Sequence, residues 1–92
     1  MPTLTLPGPL LRLVDEVERA TFDGRSARLD AATWAEFTCA LRARYPSLAE
    51  HVLGDETVRE GIVLVINGSV AVPPSELAPS DQVTFIAQIS GG

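Results

Sequence analysis

One segment of this 92-residue chain has a helical hydrophobic pattern, and it restricts the fold more than any other feature. Thr33 followed by Glu36 has the spacing of a capping box, in which two side chains bond to backbone N–H groups at the start of a helix. Pro46 interrupts the continuous helix and can begin a further turn through His51. The residues that recur at intervals of three or four form one stripe: Trp34, Phe37, Thr38, Leu41, Tyr45 and Leu48. A helix with one apolar stripe needs a second layer against which to bury it.

Two short strands are predicted ahead of this helix. The run "TLTL" at residues 3–6 alternates with period two, and Ser26 to Asp30 places Ala27 and Leu29 on one face. Asp23-Gly24 lies between two short alternating runs and is a dipeptide typical of two-residue hairpin turns, so these runs are expected to form a hairpin. The intervening "LLRLVDEVERA" is compatible with either a helical turn or a loop.

Three further strands are predicted after the helix. The segment Gly61 to Val72 contains a β-branched run, a turn at Asn67-Gly68 and a second short run. Val83 to Ile89 alternates and is the last predicted strand. The connection Pro73 to Gln82 is expected to contain one helical turn, at Ser75–Leu77.

The order of these elements, ββ–α–ββ–β, predicts an α+β fold in which a mixed sheet packs on one main helix. The β-grasp, or ubiquitin-like, arrangement accommodates that order economically. We expect a single domain over residues 1–89 with one modest core. Residues 90–92 are then a flexible Ser-Gly-Gly tail.

Composition argues against several classes of function. The net charge is −5, and all seven cations are arginines, so the chain is expected to repel phosphate backbones and not to bind nucleic acid. No apolar run approaches the ~18 residues of a membrane span, and no basic region precedes the apolar N-terminus; we expect a cytoplasmic protein with no membrane partner. Cys39 and His51 are the only residues of their types, which excludes a zinc site or disulfide within the chain. Without lysine there is no P-loop for ATP.

The sequence ends in Gly91-Gly92, a pair that arises by chance in roughly 0.5% of chains at average glycine usage. Three extended residues reach ~10 Å, and glycine, which has no Cβ, can enter a narrow channel. A terminal carboxylate has a pKa of ~3.5, so at neutral pH it is an anion and a poor acyl donor. It becomes reactive when another enzyme converts it to an acyl-adenylate. The ending therefore favours a protein that a partner activates.

Several motifs, in order, resemble the MoaD/ThiS family of ubiquitin-like sulfur carriers: Thr33-Trp34-Ala35-Glu36, "RYPSL", "VLVING", "SDQV" and the terminal "ISGG". The resemblance covers nearly the whole chain. It implies that an E1-like enzyme adenylates Gly92, that a sulfur donor converts it to a thiocarboxylate, and that the sulfur passes to a biosynthetic enzyme. Molybdopterin, thiamin, cysteine and secondary metabolites are the products made with such carriers. Ser80 and Gln82 replace the usual Gly and Glu of G-D-E-V, which leaves the pathway open.

By this resemblance the chain is a protein co-substrate and not an enzyme, although the molybdopterin carrier is also the small subunit of a synthase. It needs no cofactor of its own, since the partner uses the ATP. Ser90 and Gly91 would pass through the partner's channel, and an apolar sheet patch would dock beside them. Three positions match partner contacts of the family: Ile86, Val70 and Leu6. Ile86 lies on the face opposite Val83 and Phe85, and Leu6 is in the first strand.

Two other interpretations remain open from the sequence. A ubiquitin-like modifier would be joined through Gly92 to lysines of target proteins. A plain β-grasp interaction domain would carry the glycines incidentally. Cys39 lies off the centre of the helical stripe, and we expect a partly covered, inert thiol.

Overall fold

The computed structural model describes residues 1–54 and 58–87, which form five strands and four helices. In chain order the elements are β1 (Thr3–Thr5), α1 (Gly8–Leu11), α2 (Glu16–Arg19), β2 (Ser26–Arg28), α3 (Trp34–Arg44), α4 (Pro46–Val52), β3 (Ile62–Ile66), β4 (Ser69–Val70) and β5 (Gln82–Ala87). The segment left open in the sequence contains the end of α1 and all of α2. The last two residues of the predicted final strand, 88 and 89, and the predicted tail, 90–92, lie outside the described residues.

The five strands form one mixed sheet in the order β2-β1-β5-β3-β4. β1 and β5 are parallel, whereas the β1–β2, β3–β5 and β3–β4 pairs are antiparallel. The first and last strands are therefore neighbours at the middle of the sheet. The helices α3 and α4 connect β2, on one side of this central pair, to β3 on the other. This topology confirms the predicted β-grasp arrangement.

The start and the interruption of the main helix follow the sequence closely. Thr33 Oγ1 accepts a hydrogen bond from the Glu36 backbone N–H at 3.1 Å, as in a capping box. The Glu36 carboxylate accepts from the N–H of Ala32 at 2.8 Å, one residue earlier than the simplest form of that motif. Pro46 begins α4, where its missing N–H costs nothing because a first-turn N–H has no partner within the helix. The predicted interruption at Pro46 is therefore the boundary between two helices, α3 and α4.

The stripe on α3 and α4 forms the core with one face of the sheet. All of its apolar members are buried, and so are the inward residues of the strands: Leu4, Ala27, Leu64, Val83 and Phe85. Trp34 stacks on Phe37 with ring centroids 5.7 Å apart and lies at a tilt to Phe85 at 6.4 Å. These rings fix α3 against the central strand β5, because buried aromatic side chains contribute large apolar areas.

Two local predictions differ from the structure. The predicted turn is present, since Gly24, with φ +67°, and Arg25 turn the chain between the bridged residues Asp23 and Ser26. The run before the turn contributes only that single bridge, however, and the strand that pairs with β2 is β1. Ser75–Leu77 is not a helical turn, since Glu76 forms an extended bridge with Thr33. Both errors have the same cause: a distant segment supplies backbone partners that the local sequence does not reveal.

A hydrogen-bond network joins the β3–β4 turn to the start of β5. Asn67 adopts a left-handed conformation with φ 53°, which its short polar side chain tolerates. Its amide donates to Asp81 Oδ1 and its side-chain oxygen accepts from the Gln82 N–H, both at 2.9 Å. Asp81 Oδ2 accepts from the Ala78 N–H at 2.9 Å. The "VING" and "SDQV" segments are therefore joined through side chains.

We expect the Asp81 carboxylate to stabilise the domain at neutral pH and to lose this contribution when it is protonated in acid. The Asn67 amide and then the Ala78 N–H bond to the carboxylate and hold the pKa of Asp81 below its ordinary value of 3.8. A lowered carboxyl pKa stabilises the fold above 3.8, and that contribution is lost as the pH falls through the folded-state pKa. Asp81→Asn should lower the free energy of unfolding at neutral pH and flatten its fall below pH 3.8. Urea unfolding across this range measures the effect, and an unchanged acid dependence would contradict it. Asp30→Asn, at an exposed carboxylate outside this network, is the control.

Candidate partner-binding site

The helices cover one face of the sheet and leave the other uncovered. Strand register places Val63 opposite Ile86, and Val65 opposite both Thr84 and Val70. Cross-strand partners lie on the same face, so four apolar side chains are grouped there: Val63, Val65, Val70 and Ile86. We call these four residues the valine–isoleucine patch. Val70 is 76% exposed and Ile86 is 42% exposed, whereas Val63 and Val65 are half-buried.

The surroundings of the valine–isoleucine patch are polar but mostly neutral. Thr3 and Thr5 of β1 share the uncovered face, and Thr5 Oγ1 lies 3.1 Å from Ser26 Oγ. Among the described strand residues on this face, Arg28 on the edge strand β2 is the only charged one. An uncharged apolar patch on a chain of net charge −5 is typical of a surface that a partner covers.

The valine–isoleucine patch lies beside the point where β5 leads into the predicted tail. Ile86 is the penultimate residue of β5, and Ala87, its last residue, pairs with Ile62 at the start of β3. The residues expected to enter a partner's channel, Ser90, Gly91 and Gly92, lie outside the described part of the chain, so their roles stay predictions.

Leu6 does not belong to this surface. Its side chain has no exposed area and is part of the core. The period-two alternation of the first strand explains this position, because Leu4 and Leu6 point to the helices while Thr3 and Thr5 point away. A side chain without exposed area cannot contact a partner, so the expected role of Leu6 is corrected to one in packing.

Sequence reasoning missed Val63 and Val65. They alternate with Ile62, Leu64 and Ile66, which pack toward the core. In a continuous apolar run the two faces of a strand cannot be told apart from residue type. The register with β5 and β4 is what assigns these valines to the uncovered face.

The remaining candidates do not form a chemical site. Cys39 is exposed, not partly covered as expected. His51 is exposed, with Nδ1 2.8 Å from the Ser47 carbonyl oxygen. Within residues 1–54 and 58–87, no three His, Cys, Asp or Glu side chains are grouped as metal ligands. No helix in the described part of the chain is long and apolar enough to cross a membrane.

Neither the protein-family models nor the curated proteins gave a significant match to this sequence. Several solved structures do match the fold. The crystal structure of SAMP1 from Haloferax volcanii is 25% identical, with a TM-score of 0.72 over 99% of this chain and 98% of that chain. A chain of the Amycolatopsis orientalis BexX/CysO complex is 17% identical, with a TM-score of 0.75 over all of both chains. Mycobacterium tuberculosis CysO is 14% identical, with a TM-score of 0.70 over 97% of this chain and 100% of that chain.

These likenesses extend over nearly the whole length of both chains in each comparison, so the fold is that of a small ubiquitin-like protein. The resemblance to the MoaD/ThiS-type ubiquitin-like proteins that the motifs predicted is confirmed in the fold across the full chain.

Proposed function

We propose that this chain is a sulfur carrier: one partner enzyme attaches sulfur at Gly92, and another removes it. In the first step the Gly92 carboxylate attacks the α-phosphate of ATP on an E1-like enzyme, which forms the acyl-adenylate and releases pyrophosphate. A sulfur nucleophile at the oxidation level of hydrosulfide then displaces AMP and leaves a C-terminal thiocarboxylate. A biosynthetic enzyme accepts the sulfur. The chain supplies the acyl group and the docking surface, and the partners supply the catalysis.

The observation that carries this proposal is the position of the valine–isoleucine patch on a β-grasp domain. The patch includes the penultimate residue of β5, Ile86, and is uncovered, whereas the opposite face is filled by the helices. A partner that covers this patch would also lie next to the chain that continues beyond Ala87. Docking and insertion of the tail can thus occur on one partner at the same time, which raises the effective concentration of the terminal carboxylate at the partner's catalytic site.

The comparison with the BexX/CysO complex supports the choice of a protein partner. A chain of that complex has the same fold over its whole length. For the present chain we propose two successive partners, the adenylating enzyme and the sulfur acceptor, which use the same face in turn. Because one face cannot bind both partners at once, the acceptor should compete with the adenylating enzyme for the carrier that has no sulfur attached.

Intact-mass spectrometry tests the proposed chemistry. We expect that incubation with ATP, hydrosulfide and the E1-like enzyme encoded nearest to its gene replaces one oxygen of the chain by sulfur, with the change mapped to Gly92. Omission of ATP should prevent the exchange, because the carboxylate is then never activated. A chain that is adenylated but is recovered only with Gly92 in isopeptide bonds to lysines of other proteins would instead identify a modifier. A chain that no such enzyme adenylates would contradict both functions.

A further inference from the structure

An open cleft lies on the helical side of the domain, away from the valine–isoleucine patch. Its volume is about 460 Å³, and its lining includes Arg42 of α3, Pro46, Ala49 and Glu50 of α4, Leu53, and Arg59 of the segment before β3. The Arg59 carbonyl accepts from the N–H of Ile62, the residue that pairs with Ala87. The cleft is therefore near the end of the sheet toward which β5 runs.

Both arginines of the cleft are anchored to backbone carbonyl groups. Arg42 Nη2 donates to the Gly54 carbonyl at 2.9 Å, and Arg59 Nη1 donates to the Glu50 carbonyl. The Arg59 backbone N–H also donates to the Val52 carbonyl at 2.9 Å. Among the described residues these bonds use one nitrogen of each guanidinium. Since a guanidinium has five N–H donors, each arginine retains donors for a ligand.

The chemistry of this arrangement suits an oxyanion. The planar guanidinium fork matches the geometry of carboxylate and phosphate groups. The anchoring bonds restrict both side chains before a ligand arrives, which reduces the conformational entropy lost on binding. Pro46, Ala49 and Leu53 form part of the wall beside the two exposed arginines. The Glu50 carboxylate lines the same cleft and opposes a bound anion.

We propose that this arginine cleft binds an oxyanion, a phosphate or a carboxylate group, between Arg42 and Arg59, and that Glu50 limits its affinity. The cleft offers two cations to one ligand on a chain whose net charge is −5. Binding here does not require activation of Gly92. A failure of the oxyanion site and a failure of the carrier function are therefore separate results.

The test is a titration of the ¹⁵N-labelled full chain, followed by amide chemical shifts at constant ionic strength. Inorganic phosphate is the probe for a phosphate ligand, and glutarate is the probe for a carboxylate ligand. We expect saturable shifts at Arg42, Ala49 and Arg59 with at least one probe. Arg42→Gln and Arg59→Gln should each weaken binding about tenfold, as expected for loss of a charged hydrogen-bond donor. Glu50→Gln should strengthen binding severalfold, because it removes the repulsion and keeps the backbone carbonyl.

Arg28→Gln is the matched control, since it removes the same charge from the uncovered sheet face and should leave the affinity unchanged. Thermal unfolding shows whether each variant is folded. If Arg59→Gln unfolds because α4 loses a capping bond, Arg42→Gln and Glu50→Gln still decide the matter. Shifts that do not saturate with either probe, or that are the same in Arg42→Gln and Arg28→Gln, would overturn the proposal and leave the arginines as helix caps only.

Discussion

Replacement of Ile86 by glutamate is expected to weaken binding to the adenylating enzyme and to the sulfur acceptor strongly while the domain stays folded. Ile86 is 42% exposed and lies opposite Val63 within the valine–isoleucine patch. A carboxylate in a covered apolar interface loses its hydration without gaining a partner. Loss of a hot-spot residue at the centre of an interface costs about 2 kcal/mol or more, so affinity should fall at least about thirtyfold. Isothermal titration calorimetry measures the loss, and thermal unfolding checks the fold.

Three matched variants separate docking from stability. Val70→Glu should have the same effect as Ile86→Glu, since Val70 is the most exposed member of the patch at 76%. Thr3→Glu adds the same charge to the same face but opposite Arg28, outside the patch, and should bind normally. Leu6→Ala removes a fully buried side chain, so it should cost about 2–5 kcal/mol of stability without weakening binding by the folded protein. Normal binding by Ile86→Glu would show that partners use another surface.

The fold could be predicted because its strongest signals are local. The capping residue Thr33 and the helical stripe both depend on neighbours within one or two turns, and the structure places them as expected. The errors concern segments whose conformation depends on distant partners. Glu76 is extended because Thr33, more than forty positions earlier, supplies its bridge partner. Asp23-Gly24 carries a correct turn signal, but a turn dipeptide does not specify which strand its neighbour joins.

The candidate site was predictable where alternation was clear and not where it was absent. Val83 and Phe85 alternate with Thr84 and Ile86, and this period of two placed Ile86 on the uncovered face correctly. Leu6 was misplaced because a match to a family position does not report which face of β1 is buried. Val63 and Val65 were missed because β3 is apolar at every position. An interior strand that packs on helices from one side and carries a patch on the other has no polar face from which to read its orientation.

Removal of Gly92, or replacement of Gly91 by tryptophan, is expected to abolish thiocarboxylate formation without changing the unfolding temperature. Deletion of Gly92 moves the carboxylate about 3.5 Å back along an extended tail, and effective reaction geometry tolerates errors of only about 1 Å. Tryptophan at position 91 adds a side chain that a channel shaped for bare backbone excludes.

Formation of the acyl-adenylate, measured as ATP-dependent pyrophosphate release with the E1-like enzyme, should fall at least a hundredfold in both variants. Both should still bind that enzyme, because the valine–isoleucine patch is intact. Ser90→Ala is the control, since it shortens a side chain without changing the reach of the tail, and it should react normally. The intact mass of the protein from its natural source should correspond to a chain that ends at Gly92, because further residues would block the same carboxylate. Normal adenylation of both tail variants would show that the acyl group of Gly92 is not the one that the enzyme activates. The β-grasp domain and its patch would then serve binding alone.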